Sequence, residues 1–81
     1  MKIYSWNGKK NICGARVQEA RRRQRMTQSD LAAQLQLAGV VMERDSISRI
    51  EIGTRFVADY ELLMIAKCLK VSPLFLLGME K

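Results

Sequence analysis

The sequence predicts a small all-α domain of five helices, and three observations carry that prediction. At 81 residues the chain has room for one domain. Hydrophobic residues make up 48% of it, enough to build a core and too many for a disordered chain. Apolar positions recur at helical spacing, and the punctuation marks of helices (Thr27, Gly39, Gly53, Ser72-Pro73 and Gly78) fall between the apolar stretches.

Taken in order, residues 1–9 read as an N-terminal arm, whose Tyr4 and Trp6 are available to pack on the body or on a partner. The first helix is expected over 10–24, because Cys13, Val17 and Ala20 fall at i, i+4 and i+7 and make one apolar face. The second helix has the clearest start. Thr27 is a good N-cap, Asp30 stands three residues on as in a capping box, and Met26 and Leu31 can staple the entry. Leu31, Ala32 and Leu35 face inward, and Gly39 supplies the stop. After the apolar connection Val40, Val41, Met42 and the favourably charged Glu43, a third helix fits 44–52. There Ile47 and Ile50 point to the core, while Arg44, Asp45, Ser48 and Arg49 point away. A loop over 54–57 leads to a fourth helix over 59–70 bearing Leu62, Leu63, Ile65, Ala66 and Leu69. Ser72 and Pro73 then open a short apolar fifth helix of Leu74, Phe75, Leu76 and Leu77, closed by Gly78. The domain proper spans 10–78, followed by a tail at 79–81.

Charge is unevenly spread. Residues 1–25 hold eight basic side chains and one acidic, a net +7; residues 26–81 hold six basic and seven acidic, a net −1. A basic N-terminal face suits a polyanion, and nucleic acid is the foremost one; the alternative is a solvated face that keeps the protein soluble. With no histidine, no activated nucleophile and no glycine-rich phosphate loop, no catalytic set is visible, and no cofactor, metal or small-molecule ligand is expected. Cys13 and Cys68 are too few for a disulfide framework and read as small apolar residues in a reducing cytoplasm. No apolar run is long enough to span a membrane, and the N-terminus lacks the continuous apolar stretch of a secretory signal.

What remains is two short helices joined by a turn, the second with a polar outer face. The pattern Arg21, Thr27-Gln28, Leu31-Ala32, Leu35, Ile47-Ser48, Ile50-Glu51, Gly53, Leu62, Ala66, Leu69, Val71-Ser72 and Leu76-Leu77-Gly78 covers about residues 11–78. In that order it resembles the phage-repressor-like helix-turn-helix regulators, the Cro/C1 or XRE type. The resemblance implies a lambda-repressor-like fold, a double-stranded DNA partner, a homodimer on a palindromic operator, and a role as a transcriptional repressor. It implies that Arg44, Asp45 and Arg49 stand at base-reading positions and that Gln28 contacts phosphate. It also implies that Arg21 and Glu51 form a partly buried ion pair linking the first helix to the third.

The chemistry of those residue types agrees. Arginine can pair bidentately with guanine, aspartate can accept from the cytosine amino group, and serine can reach a base or a phosphate. Thr27 and Gln28 at a helix N-terminus, Ser48, and Arg55 in the following loop are candidates for the DNA backbone. The competing reading of each is a solvated surface residue.

Two departures from the family pattern stand out. From Leu37 to Ile47 is a step of ten residues, longer than the family uses, with the extra residues at about 38–42. The expected helix 2–helix 3 turn is therefore lengthened, which affects how the third helix docks. The second is Ala58 at the start of the fourth helix, where Ser or Thr is usual and Asp59 is the substitute cap on offer. Two other functions fit the same fold. One is a DNA-binding antitoxin, although only 79–81 follow the last helix and nothing there resembles a toxin-binding tail. The other is a protein-interaction module without DNA binding, which acidic replacements of the outward arginines would have favoured.

Overall fold

A computed structural model describes residues 5–80. Among these residues five helices follow one another: α1 Gly14–Arg23, α2 Gln28–Leu37, α3 Arg44–Ile52, α4 Asp59–Leu69 and α5 Pro73–Leu76. Among the described residues there is no strand, only an isolated antiparallel bridge between Trp6 and Lys9. The protein is thus a small all-α domain.

The first helix starts later than its apolar spacing suggests, at Gly14 rather than near Lys10. The cause is Asn11. Its Oδ1 accepts from the backbone N–H of Gly14 (2.8 Å) and of Cys13 (3.1 Å), and so satisfies donors that would otherwise be orphaned at the helix start. Residues upstream are pulled elsewhere. Asn7 and Gly8, both at positive φ, turn the chain so that Trp6 and Lys9 exchange backbone hydrogen bonds. Lys10 then donates its N–H to Gly53 O at 2.8 Å. The segment read as an arm is therefore tied from Trp6 onward to the end of α3. Tyr4 lies outside the described residues.

The capping box of α2 forms as expected: Thr27 Oγ1 accepts from Asp30 N (3.0 Å) and Asp30 Oδ2 from Thr27 N (2.9 Å). That pairing also holds the Asp30 carboxyl below its usual pKa, through the hydrogen bonds from Thr27. At α4 the cap position is Ala58, and Asp59 is the first helical residue rather than the substitute cap. The capping acceptor comes from Glu61, whose Oε1 takes the Ala58 N–H at 2.9 Å. Ser72 caps α5 through Leu74 N at 3.0 Å, with Pro73 at the first helical position.

All five helices close alike. A residue at positive φ follows the last turn, and the next N–H reaches back five residues: Met26 to Arg21 O, Val40 to Leu35 O, Thr54 to Arg49 O, Val71 to Ala66 O, Met79 to Leu74 O. At α2 the closing residue is Gly39 (φ 93°), where the lack of a Cβ makes the left-handed conformation inexpensive. At α1 and α4 the same place is held by Arg25 (φ 56°) and Lys70 (φ 58°).

Val17, Leu31, Leu35, Ile47, Ile50, Ile65, Leu69 and Leu76 are the largest fully buried side chains, each stabilising the fold by roughly 1.5–3 kcal/mol on the usual scale of burial. They come from all five helices. α1 packs against α3, α4 and α5, and α2 against α3 and α4. α3 is held by α1 and α2, which leaves its opposite side in solvent. The lengthened connection is ordered into buried and exposed residues by alternation: Val40 and Met42 are buried, Val41 between them is 83% exposed.

Candidate functional site

The expected ion pair forms and is buried. Arg21 Nε lies 2.7 Å from Glu51 Oε2, and Arg21 Nη2 donates to Glu51 Oε1 at 3.1 Å. A bidentate pair needs its remaining polar atoms satisfied to offset desolvation. Here Arg21 Nη1 donates to Met26 O (2.7 Å), and Glu51 Oε1 also accepts from the side-chain amides of Gln18 (3.3 Å) and Gln28 (3.0 Å). Hydrogen bonding to Glu51 raises the pKa of Arg21 further above neutrality. No buried side-chain nitrogen or oxygen among the described residues lacks a partner.

The network runs outward from there. With Gln28 Nε2 committed to Glu51, its carbonyl Oε1 faces the first residue of α3 and accepts from Arg44 Nη1 at 3.3 Å. A chain of side chains, Arg21–Glu51–Gln28–Arg44, thus leads from the buried junction of α1 and α3 to an exposed arginine. Gln28, expected as a phosphate contact, has both ends of its amide engaged within the protein. What it offers outward is the N-terminal turn of α2, where helix N–H groups lack intrahelical partners. Thr27 uses its oxygen as an acceptor in the capping box, which leaves its O–H to donate outward.

The other candidates on α3 lie near Arg44. Arg49 and Asp45 are exposed and face each other across one turn, 3.6 Å apart. An exposed pair of this kind is worth little and opens readily for another partner. Ser48, one turn after Arg44, is half-buried and makes no side-chain hydrogen bond among the described residues.

Arg55 has a different occupation from the one expected. Its guanidinium grips both oxygens of Glu61 (3.0 and 3.1 Å) and its Nη1 also donates to Phe56 O. Those hydrogen bonds hold the Glu61 carboxyl below its ordinary pKa and raise that of Arg55. With its charge matched by Glu61, Arg55 anchors the α3–α4 loop.

Two further positioning residues carry no obvious motif. Asn11 Nδ2 donates to Ile50 O (3.1 Å) and Arg55 O (2.8 Å), so one amide caps α1, binds the end of α3 and pins the next loop. Gly14 sits so close to α3 that a Cβ would stand 2.2 Å from Ile50 O. The preference of helix starts for Asn could have flagged Asn11; nothing local marks Gly14.

Both cysteines are free. Cys13 is buried, which pushes its thiol up to about 11, and burial also raises Cys68, although that residue is only half-buried. Among the described residues there is no cluster of potential metal ligands, and no helix is long and apolar enough to cross a membrane. No family model, no characterised protein and no solved structure matches the chain.

Proposed function

We propose that the chain is a sequence-specific DNA-binding regulator of the phage-repressor-like (Cro/C1, XRE) type, with α2 and α3 as its helix-turn-helix. On this reading it is a cytoplasmic repressor that binds a palindromic operator as a homodimer. The observation that carries the reading is the side-chain ladder from Arg21 through Glu51 and Gln28 to Arg44. A buried ion pair makes sense of a mechanical demand: α3, packed on α1 and α2 with its other side in solvent, must hold its outward arginines in a fixed pose.

In this mechanism α3 lies in the major groove with its N-terminal residues nearest the base edges. Arg44 and Arg49 read guanine through their paired N–H groups, and Asp45, released from Arg49, accepts from a cytosine amino group. Thr27, the N-terminal turn of α2 and Ser48 hold the DNA backbone and set the register. Arg22, Arg23 and Arg25, all exposed beside the start of α2, add long-range attraction without sequence preference.

Selection from random duplex DNA, followed by footprinting, tests the proposal. The expected result is an enriched palindrome with half-sites about 10 base pairs apart centre to centre, or a multiple of that spacing. Arg49→Ala should then lose roughly 1–3 kcal/mol of specific affinity with its fold intact. Recovery of no shared sequence would remove the proposal.

A further inference from the structure

The exposed side of α4 carries a pattern that the fold does not use. Tyr60 and Leu63, 61% and 44% exposed, stand three residues apart on α4, and Phe56, 52% exposed, lies in the loop that leads into it. Phe56 is not held loosely, because Arg55 bonds its carbonyl oxygen and clamps the loop to Glu61, while Lys10 stacks on its ring at 5.5 Å. Tyr60 and Leu63 thus give the solvent side of α4 an apolar patch, with Phe56 fixed in the loop before it. Asp59 and Lys67 flank Leu63 on the same side, four residues before and four after. Both are exposed, and neither makes an ion pair among the described residues. They stand about 12 Å apart along the helix, too far to meet each other.

We propose that this face of α4 is the surface on which a second copy of the chain docks, antiparallel, with the two-fold axis passing beside Leu63. A two-fold interface presents one patch to itself, so every residue meets its mirror position. With the axis at Leu63 the two leucines touch. Asp59 of each copy then faces Lys67 of the other, so both unmatched charges find partners twice over. Tyr60 lies beside that axis and covers the leucines with a large surface of low conformational freedom. A partner of one charge sign would leave either Asp59 or Lys67 opposed by its like; the self-matched arrangement is what favours a second copy. The pairing rests on the DNA-binding reading for its purpose, the spacing of two α3 helices, and not for its existence.

Sedimentation equilibrium of the full chain without DNA, over a wide concentration range, tests this. The wild type should rise from the monomer mass to twice that mass, and Leu63→Glu should stay at the monomer mass with an unchanged circular dichroism spectrum. Asp59→Lys and Lys67→Asp should each weaken the dimer, and the double variant D59K/K67D should restore it. A wild type monomeric at every concentration, a dimer indifferent to Leu63→Glu, or a double variant as dissociated as the single ones would each overturn the proposal. Binding to a single half-site is read separately. Its loss in a chain that still dimerises would count against the DNA-binding reading alone.

Discussion

The junction between α1 and α3 and the connection between α2 and α3 solve the same problem, placing α3, in opposite ways. The junction is saturated. Arg21, Glu51, Gln18 and Gln28 satisfy one another, Asn11 bridges three segments, and Gly14 lets the backbones approach until no side chain fits between. The connection is economical. It has two buried anchors, Val40 and Met42, one glycine closing α2, and otherwise side chains turned to water, with Leu37 90% and Val41 83% exposed. The polar ties that hold α3 therefore come from α1, Asn11 and Gln28, and the connection contributes the packing of Val40 and Met42. Of the extra residues at 38–42, Val40 and Met42 join the core, while Ala38, Gly39 and Val41 lie on the outside.

The contrast predicts a graded series of thermal or denaturant unfolding results. Glu51→Ala strands a buried guanidinium and should cost about 3–5 kcal/mol, read as a large fall in melting temperature. Native stability in this variant would break the claim that the junction carries α3. Gly14→Ala forces a methyl against Ile50 O and should cost about 1–3 kcal/mol as overpacking does. A neutral result would mean that α1 and α3 slide apart easily. In the connection, Gly39→Ala meets no neighbouring atom, so only the left-handed backbone penalty of about 1 kcal/mol remains. Leu37→Ser and Val41→Ser should fall within about ±0.5 kcal/mol. A loss above that range would show the exposed turn to be structural after all.

Acid should act on the clamped loop as well. Because Arg55 holds the Glu61 carboxyl below its unfolded pKa, that contribution is present above the unfolded value. It is lost as pH falls through the lowered folded value, and Asp30 moves in the same sense. Stability should therefore decline below about pH 4.5 on acid titration. Glu61→Gln should flatten part of that decline.

Local features of this fold were legible in the sequence because their causes are local. The Thr27–Asp30 box, the Ser72-Pro73 start and the glycine stops each depend on residues within one turn. The Arg21–Glu51 pair, thirty residues apart, was legible only through the family resemblance. Missed features have causes that no short window contains. Asn11 acts on Ile50 and Arg55, some forty residues away. The Arg55–Glu61 clamp looks like two ordinary surface charges until the loop folds over. Arg25 and Lys70 adopt a conformation usual for glycine because Met26 and Val71 must turn back to close their helices. The Asn7-Gly8 turn carried a readable signal, since that dipeptide favours positive φ at both residues, yet the stretch reads as an arm without it.

On the proposed function, the rigid junction serves to present Arg44 and Arg49 to DNA. Fluorescence anisotropy with the selected duplex and a scrambled duplex, titrated across salt concentrations, tests it most directly. The selected duplex should bind more tightly, with an affinity that falls steeply and linearly on a logarithmic salt scale, and the preference for it should be lost in Arg44→Ala or Arg49→Ala. Equal binding of both duplexes at every salt concentration, or a preference untouched by either substitution, would contradict it.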